Sequence, residues 1–123
     1  MANTINIPKG LKQVTARLRI GGDLPYKWAF YEYPKTASGY GAPEKPIKEG
    51  KLTATSELPN STEAERKFVW SVVAVNLDES EQTVAVAGEV LSQGKVIGSV
   101  KAKWTVPVKT GTCSVHFTLK QGG

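Results

Sequence analysis

The chain has 123 residues, 40% hydrophobic and 22% charged, with sixteen Lys plus Arg against eleven Asp plus Glu and a net charge of +5. At this length one core can be buried and a second independent domain cannot, which argues against catalysis across a domain cleft. The basic excess is moderate, short of the dense stripe of a dedicated nucleic-acid binder, so nucleic acid is not an expected partner.

From the N-terminus, the segment 1–10 carries no apolar run long enough for a secretory leader or a membrane span. It reads as a flexible arm able to add as a strand to a neighbour, on a chain made in the cytoplasm and incorporated into a particle. Residues 11–120 read as a single β-sandwich domain. Between Leu11 and Ile20, Val14, Ala16, Leu18 and Ile20 alternate with Gln13, Thr15, Arg17 and Arg19, the period of a half-buried strand. Tyr26 to Tyr33 is a second strand, and a long loop at 34–50 follows it. Lys51 to Leu58 alternates again, with Leu52, Ala54 and Leu58 inward. Asn60-Ser61-Thr62-Glu63 has capping-box spacing, which predicts a short helical turn near 61–66. The same Asn60-Ser61-Thr62 sequon matters only in a eukaryotic secretory pathway.

Phe68 to Leu77 is apolar on both parities, as in a central strand. Thr83 to Leu91 and Val96 to Val108 continue the pattern, and Cys113, Val115, Phe117 and Leu119 alternate with Ser114, His116, Thr118 and Lys120. Turns are expected at Asp78 to Glu81, Ser92-Gln93-Gly94 and Lys109-Thr110-Gly111. The last four strands form a meander or Greek key on this reading. About seven short strands with frequent turns predict an all-β fold, an immunoglobulin-like antiparallel β-sandwich, with a partly open barrel as the alternative.

The stretch from Val72 to Leu119 holds a strand ending in Asn76, a short acidic turn, a hairpin with a Gly94-Lys95 tip and a closing Gly111-x-x-x-Val115-x-Phe117 strand. In these features it resembles the bacterial immunoglobulin-like accessory modules of the FxLYD and related type. Gly88-Glu89-Val90-Leu91-Ser92 stands where that family carries Phe-x-Leu-Tyr-Asp. The resemblance implies a binding or spacer module and not an enzyme.

The catalytic inventory is small. Cys113 and His116 are the only cysteine and the only histidine, which rules out an intrachain disulfide and a Cys/His zinc site within one copy. Three residues apart on a strand, they point to opposite faces and do not form a nucleophile and base. Asp78, Glu79 and Glu81 read as a solvated hairpin tip or, alternatively, a weak cation site. No phosphate loop, metal site or cofactor is expected.

Six aromatics crowd into residues 26–40: Tyr26, Trp28, Phe30, Tyr31, Tyr33 and Tyr40. In Tyr26 to Tyr33 they occupy both parities, so one row fills the core and the other is either covered by the 34–50 loop or faces solvent. Trp28, Tyr31, Tyr33 and Tyr40 are the candidate ligand- or partner-binding residues. The loop itself has three readings: a packed cover, a binding arm or a mobile tip. Arg17 and Arg19 share one outer strand face and Lys101 and Lys103 another, a positive patch if the two strands adjoin and edge protection if they do not. The expected function is that of a non-enzymatic structural, assembly or protein-interaction module, a component of a virion, phage-like particle or filament that docks with copies of itself or with other subunits. The alternative is a carbohydrate- or ligand-binding module using the 26–40 aromatics.

Overall fold

The computed structural model describes residues 3–8, 10–11, 13–51, 54–59 and 63–122. These form an all-β sandwich of strands β1 (Thr4–Pro8), β2 (Val14–Ile20), β3 (Tyr26–Glu32), β4 (Lys35–Thr36), β5 (Gly39–Tyr40), β6 (Lys48–Lys51), β7 (Ala54–Glu57), β8 (Glu65–Asn76), β9 (Gln82–Ser92), β10 (Lys95–Val106) and β11 (Lys109–Gly122). One sheet runs β1-β11-β8-β3-β6, the facing sheet β10-β9-β2-β7, and β4-β5 is a small hairpin. Every pairing is antiparallel except that of β1 with β11.

The last four strands divide between the sheets. β8 pairs with β11 in one and β9 with β10 in the other, so the rolled order is β11, β8, β9, β10, a Greek key folded across the sandwich. Alternation along each strand puts Trp28, Phe30, Phe68, Trp70, Phe117 and their neighbours into the space between the sheets. Phe30, Phe68 and Phe117 stack at centroid separations of 5.0 to 6.2 Å, with Trp70 tilted against Phe30 at 4.6 Å. A Cβ on Gly88 of β9 would lie 2.8 Å from Trp70 Cζ3, so glycine there lets the facing sheet settle onto the indole.

Four expectations are corrected. The 1–10 arm is not an arm throughout, because Thr4–Pro8 is β1, with Ile5 and Ile7 buried against the core. Its Thr-Ile-Asn-Ile alternation is a strand period too short to stand out from the sequence. The helical turn is not formed in its described part: Glu65 and Arg66 already belong to β8, paired with Lys120 and Leu119, while residues 60–62 lie outside the described set. β11 starts at Lys109 instead of after a Lys109-Thr110-Gly111 turn, and Gly111 packs under Trp104 and Pro107. The almost unbroken alternation expected from Val96 to Val108 is interrupted by a register shift between Val96 and Gly98. Val96 is therefore left outside while Ile97 packs on the core.

That shift matters for closure. β1 reaches across to β10, and a Cβ on Gly98 would stand 2.4 Å from Cγ2 of the buried, β-branched Ile5. Gly98→Ala is therefore expected to destabilise by about 1–3 kcal/mol through overpacking. A urea melt that matches the wild type would contradict the packing of β1 on β10. Among the described residues no helix is long and apolar enough to cross a membrane.

Candidate partner-binding surface

The aromatic strand β3 divides as its parity requires. Trp28 and Phe30 face inward, and Trp28 is 4% exposed with its indole against Gly50 of β6, where a Cβ would come within 3.2 Å of Cζ2. Trp28 is thus withdrawn from the binding set, because β6 pairs with β3 through Trp28↔Gly50 and seals the indole in. Tyr31 and Tyr33 face outward and are half-buried. Tyr31 stands in register with Val69 of β8, and Val69 with His116 of β11, so the three side chains form one row across three strands.

Val69 decides what this row is. It points to the outer face, yet it is only 6% exposed. Tyr33 and His116 stack over β8 with ring centroids 6.2 Å apart and planes 17° from parallel. The branched Val69 side chain has few rotamers to lose, so this part of the row costs little to order on binding. Beside it Asn3, Lys67 and Thr118 complete a shallow depression of about 260 Å³.

Tyr40 reaches the same face by another route. The β4–β5 hairpin turns through Ala37 and Ser38, is followed at once by Gly39, whose φ of 136° suits glycine, and closes through Gly41 N–H donating to Pro34 O at 2.8 Å. This folds Tyr40 back over the start of β8. Its hydroxyl donates to Glu65 O at 3.2 Å and Glu65 Oε1 at 3.3 Å. The ammonium groups of Lys67 and Lys35 stand 4.7 and 5.3 Å from its ring centre. Burial raises the phenol above its ordinary pKa of 10.0, and Glu65 raises it too, against the opposing pull of Lys35. The segment 34–50 forms the β4–β5 hairpin and β6, and none of its residues is buried. It holds Tyr40 and supplies β6, leaving Tyr31 and Tyr33 uncovered at its margin.

The basic residues do not make the patch. Arg17 and Arg19 on β2 are separated from Lys101 and Lys103 on β10 by the whole of β9, in the rows Arg17–Glu89–Ser99 and Arg19–Ala87–Lys101. Arg17 Nε donates to Glu89 Oε1 at 2.9 Å and Arg19 stands 3.9 Å from the same oxygen, so β9 supplies a carboxylate between the two basic pairs. At the hairpin tip, the buried Asn76 amide donates to Ser80 O and Val106 O, each at 3.1 Å, and the Asp78 carboxylate accepts from Gln82. Among the described residues, no group of three or more His, Cys, Asp or Glu could hold a metal ion. Cys113 packs against the core, where burial raises its thiol pKa, while His116 lies on the outer face against Tyr33.

Sequence reasoning missed His116, Val69 and Lys67 as members of this surface. In the sequence His116 stands alone on a polar parity, and only the β3–β8–β11 register brings it to Tyr33. No protein-family model, curated protein or solved structure matches the chain.

Proposed function

We propose that the protein is a non-enzymatic interaction module, a subunit that docks with copies of itself or with other chains through the outer face of the five-stranded sheet. The observation that carries this reading is the Tyr33–His116 stack over an outward-facing but buried Val69. Rigid tyrosine-rich surfaces supply contact area at a low cost in ordering, and such residues dominate interface energetics. Assembly into a particle or filament is the setting that fits best, by analogy with other β-sandwich subunits.

The test is light scattering on a sizing column across a hundredfold range of concentration. Wild-type mass should rise with concentration, and Tyr33→Ala should hold the protein monomeric with an unchanged melting temperature. Equal association of the two proteins would overturn this reading. A second reading, carbohydrate binding, draws on the same tyrosines, whose faces can stack on the C–H surface of a sugar ring. It predicts a strict monomer whose tyrosine-dependent binding appears on a glycan array.

A further inference from the structure

The loop 77–81, between β8 and β9, holds its one aliphatic side chain out in water. Leu77 is 84% exposed, against 44% for Val108 and less for the other exposed large hydrophobics among the described residues. The loop is pinned from within. The buried Asn76 amide donates to Ser80 O and Val106 O, and its oxygen accepts the Asp78 N–H at 3.0 Å. Asn76 thereby closes the loop and ties it to the neighbouring Pro107-Val108 turn, while the Asp78 carboxylate accepts from Gln82 across it. Leu77 and Val108 together form an apolar knob on a fixed backbone, so little order is lost when it is covered.

This tip is acidic. Asp78, Glu79 and Glu81 are exposed on it, with Lys109 as the one cation nearby, and none of the three carboxylates joins an ion pair among the described residues.

The docking face has the opposite character. Lys35 and Lys120 are met by Glu63 and Glu65 at 3.9 and 4.0 Å. Lys67 has no carboxylate partner among the described residues; its ammonium stands over the Tyr40 ring, and its side chain lines the depression shared by Tyr33 and His116. Lys67 is near the start of β8 and Leu77 just past its end, so tip and depression are roughly 30 Å apart at about 3.3 Å per residue.

We propose that copies of this chain dock head to tail, the Leu77 tip of one seating in the Tyr33–His116 depression of the next. This inference rests on the docking face proposed above and names its occupant. Leu77 and Val108 cover the rings of Tyr33 and His116, and the carboxylates of Asp78 and Glu79 come up to Lys67. Two depressions meeting each other would instead set Lys67 against Lys67, a juxtaposition of like charges. Because tip and depression are different patches, each contact leaves one tip and one depression free, and the row of subunits extends.

The experiment is light scattering on the full chain at concentrations where the wild type associates. Wild-type mass should grow beyond a dimer. Leu77→Ser should be monomeric at an unchanged melting temperature, since this side chain packs on nothing in the core. An equimolar mixture of Leu77→Ser and Tyr33→Ala, each monomeric alone, should form a one-to-one dimer and stop there, because only one intact tip and one intact depression can meet. Glu79→Lys should weaken wild-type association about tenfold, and Lys67→Glu in the same chain should restore it. Leu77→Ser associating as the wild type does, while Tyr33→Ala is monomeric, would overturn the tip as occupant and leave the docking face standing. Both variants associating as the wild type would remove the docking face itself, as would a wild type monomeric at every concentration. A wild type that stops at a dimer, or a mixture of the two variants that stays monomeric, would overturn the head-to-tail arrangement.

Discussion

Trp28→Ala is expected to destabilise the protein by about 3–5 kcal/mol, with a fall in melting temperature of roughly 10–20 °C. The indole is 4% exposed and packed on Gly50, so truncation opens a large cavity between β3 and β6. A partial offset comes from its Nε1, which finds no hydrogen-bond acceptor among the described residues. Removing a buried, unpartnered N–H recovers some of its desolvation cost. Trp28→Phe keeps most of the volume and sheds the N–H, and should therefore cost much less than the alanine variant. Urea denaturation measures both. A Trp28→Ala protein as stable as the wild type would place the side chain outside the core and return it to the binding surface.

The second large effect belongs to the ion pair of Glu32 and Arg66. The guanidinium holds the carboxylate by two bonds, Nε to Oε2 and Nη2 to Oε1, both 2.8 Å, and lies 4.9 Å from the centre of the Phe68 ring. The two partners are unequally shielded, with side-chain exposures of 5% for Arg66 and 27% for Glu32. Removing Glu32 strands a buried cation, while removing Arg66 leaves a carboxylate that water can reach. Glu32→Ala is accordingly expected to cost about 3–5 kcal/mol, and Arg66→Met distinctly less. The double variant Glu32→Leu with Arg66→Met should recover most of the loss, since apolar replacements of similar volume carry no stranded charge. Equal single-variant losses with no recovery in the double would show that the site depends on shape and not on charge.

Both residues mark the boundary of what was legible in the sequence. Strand alternation placed Phe68, Trp70, Trp104 and Phe117 inward, and each is buried. The doubly apolar run beginning at Phe68 implies a central strand, and β8 is flanked by β11 and β3. Parity also separated Trp28 from Tyr31 and Tyr33, but a two-row aromatic strand does not say which row a distant β6 will cover. Glu32 and Arg66 are 34 positions apart and meet only because β3 and β8 adjoin. The same dependence on register hid the partnership of Tyr33 with His116. Short elements were lost for a different reason: β1 and β6 carry too few residues to establish a period, and the bulge in β10 moves the inward position by one without a marker beyond Gly98.

The most direct test of the docking face is a dilution series followed by amide chemical shifts of the full chain. The account predicts concentration-dependent shifts at Tyr31, Tyr33, Lys67, Val69 and His116, with Arg17, Arg19 and Glu89 on the opposite sheet unchanged. Shifts centred on that opposite sheet, or an aromatic face unmoved while the protein self-associates, would contradict it.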